Sequence, residues 1–339
     1  MKGFAFSAWV VAAAAACACG GEDPKGRGPG PATTGWLSVE TIASDDDVVV
    51  ERVMYRSDGL RVKGQVCRPK AQGVFPVVVG NHGGWDGLGD DWANLGDGAC
   101  GSLARLGYVV AMSSYRGEDG SDGRIEFCAG EARDVRAMLE IVRRQPYAKL
   151  DGAVMYGISH GGCVTVRAVM DGAPVVRAVS INGPADLAGV YDVAKAREAE
   201  PFFQGLVLAF EQAFGGSPST AGGVYEARST LPAAEKLAST PVELFFVHGV
   251  EDEVVPVDQS CRLAADAGGF QAFHIGATGT IAEPPDACAD AGLTWEAGAL
   301  PTGSWPGSRY LAVYDGMSHG EGTAFELALL QMLDFLVRP

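Results

Sequence analysis

Positive charge is scarce in this chain. Its 339 residues include 26 Lys and Arg against 42 Asp and Glu, for a formal net charge of −16. A surface of that sign repels a phosphate backbone, which excludes nucleic acid as a partner. Also missing is an apolar run of the ~20 residues that a membrane-spanning helix needs. The run from Phe4 to Ala16 is shorter, follows a single Lys and ends in small residues before Cys17 and Cys19. That pattern reads as an export signal of lipoprotein type over residues 1–19, with Cys17 or Cys19 becoming the lipidated first residue. The chain is therefore expected outside the cytoplasm, in the periplasm or at the cell surface, touching a membrane through a lipid anchor, with plain secretion as the alternative. No C-x-x-C pair, phosphate loop or dinucleotide fingerprint occurs, so neither metal nor cofactor is expected. Histidine is rare too, with five in all, and this shortens the search for a base.

What is present is a globular composition, 47% hydrophobic and 20% charged. Residues 20–47 begin with "GGEDPKGRGPGPATTG", too rich in Gly and Pro to bury a core, and are expected to be a flexible tether. The acidic run Asp45–Asp47 reads as a solvated turn at its end. From residue 48 onward, "VVVERVMY" and "RVKGQVCRP" flank the turn signal "RSDG" as a hairpin. Six short apolar runs follow, at 75–83, 108–115, 152–159, 175–183, 242–249 and 309–316. Their near-continuous Val, Ile, Leu and Phe suit parallel strands buried on both faces. Helical segments are expected at about 91–106, 130–145, 160–171, 258–268 and 321–337; Val135, Met138, Leu139 and Val142 show the spacing. Strand–helix alternation gives an α/β fold, a mostly parallel sheet with helices on both faces. Two stretches break the alternation: a helical insertion at 186–240 and an extended loop at 275–308. Both are expected to shape a pocket, with Phe202, Phe203, Trp295 and Trp305 as possible walls. Cys67, Cys100, Cys128, Cys163, Cys261 and Cys288 remain beyond the signal. Export makes disulfides plausible, and of the 15 possible pairings Cys100–Cys128 and Cys261–Cys288 are the expected ones.

In "YGISHGG" a buried strand runs into a Gly-Ile-Ser-His-Gly turn and then a helix. A serine in such an elbow stands clear of the sheet, and the flanking glycines spare a clash between strand and helix. Ser159 is therefore the candidate nucleophile. Its hydroxyl needs a base to take its proton. His160 is adjacent and would point away; His82 and His248 end strands; His274 lies in or next to one. His319, in the loop "YDGMSHGEG", is free to lie over the elbow and is the candidate base. An acid must fix the tautomer of that imidazole and stabilise its charged form. "VEDEVV" supplies Asp252, with Asp186 in "NGPADL" as rival. The developing oxyanion needs donors: the N–H of His160, which the elbow positions, and one from "NHGGWDG", assigned to Gly84 with Trp85 as close alternative.

The motifs "SDGLRVKGQVCRP", "VGNHGG", "SSYRGEDGSDG", "YGISHGG", "AFGGSPSTAGGVYEARSTLP", "VHGVEDEVVPVDQS" and "GMSHG", in that order, resemble an α/β-hydrolase. The branch is that of prolyl-oligopeptidase-like peptidases and dienelactone-hydrolase-like esterases, and the resemblance runs from about Val48 to Leu336. It implies a doubly wound, eight-stranded sheet, with the helical insertion after the sixth strand. It also implies hydrolysis of a small-molecule ester or amide through an acyl-enzyme, and a structural or rim role for Arg116. The propeller of the peptidases is not seen ahead of this domain, which shifts the expectation toward carboxylic esters. A serine peptidase is the alternative. A non-catalytic binding protein on the same fold is the alternative from another class.

Overall fold

Val77–Asn81 and Val109–Ser113 are buried at every position, as strands covered on both faces must be. Successive residues serve opposite faces. Val77, Val79, Val109 and Ala111 belong to one core cluster; Val78, Val110 and Met112 belong to another. The computed structural model describes residues 35–88 and 99–338. The expected signal, its lipidation site, the first part of the tether and residues 91–98 of the first expected helix lie outside them.

Among the described residues ten strands form one sheet: β1 (Ser38–Ser44), β2 (Val48–Ser57), β3 (Leu60–Pro69), β4 (Val77–Asn81), β5 (Val109–Ser113), β6 (Val154–Ile158), β7 (Arg177–Ile181), β8 (Glu243–Gly249), β9 (Gln271–Ile275) and β10 (Arg309–Tyr314). Their spatial order is β1-β2-β3-β5-β4-β6-β7-β8-β10-β9. The first three are antiparallel, and from β5 onward every pairing is parallel. The α-helices of the described residues are α1 (Ala99–Arg105), α2 (Gly130–Val142), α3 (His160–Met170), α4 (Leu187–Ala196), α5 (Pro201–Phe214), α6 (Pro218–Arg228), α7 (Glu235–Ala238), α8 (Asp258–Ala267) and α9 (Phe325–Val337). α2, α3 and α8 cover one face of the sheet; α1 and α9 cover the other. The expected insertion is α4 to α7, after β7. It has its own cluster of Phe203, Leu206, Phe210, Phe214 and Tyr225.

The sheet has two strands more than the eight expected. β1 falls within the expected tether; its Ser, Glu and Thr lie exposed on the edge of the sheet, so it has no apolar alternation to betray it. Its order comes from pairing with β2. β9, which contains His274, has its apolar run broken by the polar Gln271 and His274, follows Gly268 and Gly269, and pairs with β10.

The disulfides are Cys67–Cys100, Cys128–Cys163 and Cys261–Cys288. The expected Cys261–Cys288 link is present. The expected Cys100–Cys128 link is not, because the sheet sorts these residues into different cores. Cys100 packs from α1 onto β3, whereas Cys128 sits with the insertion against α3. Among the described residues no helix is long and apolar enough to cross a membrane.

Candidate active site

β6 ends at Ile158 and α3 begins at His160, leaving Ser159 alone in the turn with φ 56° and ψ −124°. Positive φ is costly for a residue with a Cβ, and it persists where the surroundings enforce it. Here the Ser159 N–H is held by the Ile181 carbonyl of β7 at 2.8 Å. The elbow glycines have a steric cause. A Cβ on Gly157 would lie 2.0 Å from the Gly161 carbonyl oxygen, and one on Gly161 would lie 2.0 Å from the Asn81 oxygen. Strand β4, the elbow and α3 thus touch backbone to backbone.

His319 comes from the loop between β10 and α9. Its Nε2 lies 2.8 Å from Ser159 Oγ, and its Nδ1 lies 2.7 Å from Asp252 Oδ2. A carboxylate only accepts, so Nδ1 carries the proton toward Asp252 and Nε2 is left to accept from the hydroxyl. Asp252, after β8, is 7% exposed. Its other oxygen accepts the N–H groups of Val254 and Val255 at 2.9 and 2.8 Å. Burial pushes this carboxyl up, but hydrogen bonds from His248 and His319 outweigh it and hold it well below the usual carboxylate range. The rival Asp186 is not brought to the imidazole. It caps α4, accepting from the N–H groups of Ala188 and Gly189.

Several supporting residues went unread in the sequence. His248 is fully buried, with Nε2 2.8 Å from the Val255 carbonyl and 3.4 Å from Asp252 Oδ2, and Nδ1 2.7 Å from Ser260 Oγ. Glu251 Oε2 accepts from Gly316 and Met317, at the root of the His319 loop. Asn182, after β7, donates to the Ser318 carbonyl at 3.0 Å and accepts from Gly249 at 2.9 Å, tying that loop to β8. In the sequence His248 left a trace as a polar residue ending an apolar strand, and Glu251 as a neighbour of Asp252 in the acidic turn; their roles did not show.

His160 does point away from Ser159. Its Nδ1–H donates to the Gly84 carbonyl at 2.8 Å, while Nε2 accepts from the Cys128 N–H at 3.2 Å. Burial drives its pKa down to about 4, so it is neutral. The N–H of His160 opens α3 and has no carbonyl one turn earlier to take it. Gly84 has φ +76° and open space where a Cβ would stand. Because its carbonyl faces His160, the N–H of Trp85 in the same trans peptide faces the opposite way. Beyond the turn, the Trp85 ring lies 6.3 Å from Phe127 and 6.2 Å from Phe202, and Phe127 lies 5.2 Å from His160. Phe202 is partly exposed there, whereas Phe203 is buried under Arg197. Two of the proposed wall residues are elsewhere. Trp305 is packed among Phe245, Tyr310 and Phe335, and Trp295 bridges to Ala272 of β9. Arg116 is buried in bonds to Asp134, Glu126 and Asp58, away from the triad of side chains.

Among the described residues, one group has metal-ligand spacing: Cys128, His160 and Cys163, with ligand atoms within 4.8 Å of one another. Its two sulfurs are joined to each other and offer no thiolate.

This sequence matches the X-Pro dipeptidyl-peptidase (S15) family over residues 58–244. It is 26% identical over 212 residues to the uncharacterized peptidase YtmA of Bacillus subtilis (strain 168), covering 62% of this chain and 76% of that protein. Among solved structures, acetyl xylan esterase 1 from Thermoanaerobacterium sp. superposes with a TM-score of 0.58 at 14% identity, over 88% of this chain and 87% of that one. The acylaminoacyl peptidase of Pyrococcus horikoshii superposes with a TM-score of 0.57 at 19% identity, over 85% of this chain; the match spans 41% of the peptidase's length. These likenesses carry the α/β-hydrolase fold, and the family match extends over more than half of the sequence: the chain belongs to the X-Pro dipeptidyl-peptidase (S15) family and is a serine hydrolase of the peptidase or esterase type.

Proposed function

We propose that Ser159, His319 and Asp252 are the catalytic triad of a carboxylic ester hydrolase that works through an acyl-enzyme. The observation that carries this is the continuous chain from Ser159 Oγ to His319 Nε2 at 2.8 Å and from His319 Nδ1 to Asp252 Oδ2 at 2.7 Å. In the first half-reaction Ser159 Oγ attacks the carbonyl carbon and its proton passes to His319 Nε2. Asp252 stabilises the resulting imidazolium. The tetrahedral oxyanion is held by the N–H of His160 and by a second donor from the turn after β4. That turn commits the Gly84 carbonyl to His160, which favours the N–H of Trp85 over that of Gly84. Each such donor is worth roughly 10²–10³ in rate. Collapse of the intermediate returns the proton from Nε2 to the departing alcohol. Water then repeats the sequence on the acyl-enzyme and releases the acid. Trp85 and Phe202, backed by the buried Phe127, supply an aromatic wall beside the oxyanion turn, suited to an apolar acyl or alcohol group. The end-to-end likeness to an acetyl xylan esterase supports an ester substrate.

The family match and the relative named a peptidase favour a second reading, cleavage of an amide by the same groups. Catalytic efficiency on p-nitrophenyl acetate against X-Pro and aminoacyl naphthylamides separates the two. Equal or better turnover of the amides removes the ester reading. A fluorophosphonate probe should label the wild type and spare Ser159→Ala. Three disulfides support the further reading that the chain is exported to an oxidising compartment. Metabolic labelling with palmitate, lost on replacing Cys17 and Cys19 together, is the expected mark of the lipid anchor.

A further inference from the structure

We propose that Glu118 is a positioning residue for the oxyanion turn, acting through the backbone of Gly87; the proposal rests on the Ser159 chemistry set out above. The turn 82–88 is gripped by the segment that follows β5. Tyr115 stacks on His82 at 4.1 Å, and its hydroxyl donates to the His82 carbonyl at 3.2 Å. Glu118 Oε2 accepts from the N–H of Gly87, and Asp119 Oδ2 accepts from that of Leu88 at 2.9 Å. The fit at Gly87 is closed: with φ +86°, its Cβ position falls 2.2 Å from the Asp119 carboxylate. From the other side the Cys128 N–H holds His160, and His160 holds the Gly84 carbonyl. Gly84 and Gly87 bracket the Trp85 N–H, so both ends of the donor's peptide run are pinned.

Glu118 differs from the other pins because it is 3% exposed and, among the described residues, has no Lys or Arg partner. Its Oε1 has no hydrogen bond among the described residues, and Oε2 lies 3.9 Å from His82 Nε2. His82, driven down to about 4 by burial, is neutral. Burial, assisted by the carboxylates of Glu131, Asp119 and Asp86, pushes Glu118 up to about 9 against the pull of the Gly87 N–H. Tyr115 also faces this group and feels its charge. Near neutrality Glu118 is therefore an acid that accepts from Gly87 without an uncompensated charge. In a released turn it would meet water and ionise in the ordinary range. The protonated form favours docking, so each pH unit between the two values shifts the equilibrium about tenfold toward release.

The test uses p-nitrophenyl acetate, corrected for its spontaneous hydrolysis, on the wild type, Glu118→Gln, Glu118→Ala and Ser159→Ala. Glu118→Gln keeps a neutral oxygen for Gly87 and should lie within about threefold of the wild type at pH 7. Glu118→Ala should lose on the order of 10² in kcat, the worth of one oxyanion donor, with KM within about threefold. The wild type should show an alkaline fall in kcat with a midpoint at or below about 9, and Glu118→Gln should not. A wild-type profile flat to pH 10, or the same alkaline fall in Glu118→Gln, overturns the proposal. So does a folded Glu118→Ala with kcat within threefold of the wild type. Should that variant not fold, the glutamine profile decides alone. Activity surviving in Ser159→Ala would instead sink the serine reading itself, whatever the Glu118 variants do.

Discussion

Replacing Asp252 by Asn should cripple the enzyme without unfolding it, and the local hydrogen bonds show why. The oxygen that now accepts from Val254 and Val255 at 2.9 and 2.8 Å must remain an oxygen. Flipping the amide would set an NH2 against two N–H donors, costing about 1–3 kcal/mol for each buried donor left unpaired. The unflipped amide turns its NH2 toward His319 Nδ1, 2.7 Å away. Two donors cannot share that contact, so Nδ1 must give up its proton and Nε2 must carry one. That is the wrong tautomer for taking a proton from Ser159. His248, whose Nε2 lies 3.4 Å from the same oxygen, adds a second donor facing the new NH2. Loss of the correct tautomer is worth roughly 10³–10⁴ in kcat, or about 4–5.5 kcal/mol of barrier. The assay is kcat/KM on p-nitrophenyl acetate, with thermal unfolding as the control for fold. Ser159→Ala and His319→Ala should each lose more, and together little more than either alone. Asp186→Asn should stay near the wild type, because Asn caps a helix about as well as Asp. Asp252→Asn within tenfold of the wild type, or Asp186→Asn as the damaging change, would refute the reasoning.

Three further outcomes concern the frame around the site. Gly161→Ala places a Cβ 2.0 Å from the Asn81 oxygen and 2.6 Å from that of His82, both backbone atoms, so it should lose about 3 kcal/mol or more, read from the urea midpoint. Removing Cys261 and Cys288 together opens a loop of sequence separation 27, which the chain-entropy relation values at about 3.5 kcal/mol; a shift in unfolding midpoint below 1 kcal/mol would count against that assignment. Glu131 is fully buried and accepts from the N–H groups of Glu126 and Phe127; burial raises its pKa to about 7. The folded state thus binds the proton more tightly than the unfolded chain. Stability from this group is complete below about 4.5 and declines as pH rises to about 7, by on the order of 1–3 kcal/mol. Glu131→Gln should flatten the urea midpoint across that window.

What could be read from the sequence depended on whether a residue's neighbours in the chain are also its neighbours in space. The elbow qualifies: Gly157, Ser159 and Gly161 meet within five positions, so their pattern carries its own geometry. The parallel strands qualify too, since residues such as Val77 to Val79 are apolar whichever face they serve. β1 does not, because its order is lent by β2 and its own side chains are polar. The cysteines do not, because pairing depended on which cluster each one joins: Cys100 packs with α1 against the sheet, and Cys128 packs with the insertion. The same limit explains the polar groups that surround the candidate triad. Asn182 grips Ser318 across 136 positions, and Glu251 grips Met317 across 66. Neither has a local motif, since the partner of each is a backbone atom, and a backbone atom leaves no letter in the sequence. His160 shows the boundary most sharply. Its place beside the serine was legible, and so was its turning away. That the imidazole, once turned, would hold the carbonyl of Gly84 could be learned only from the fold, because that contact exists only after β4 and β6 have come to lie side by side.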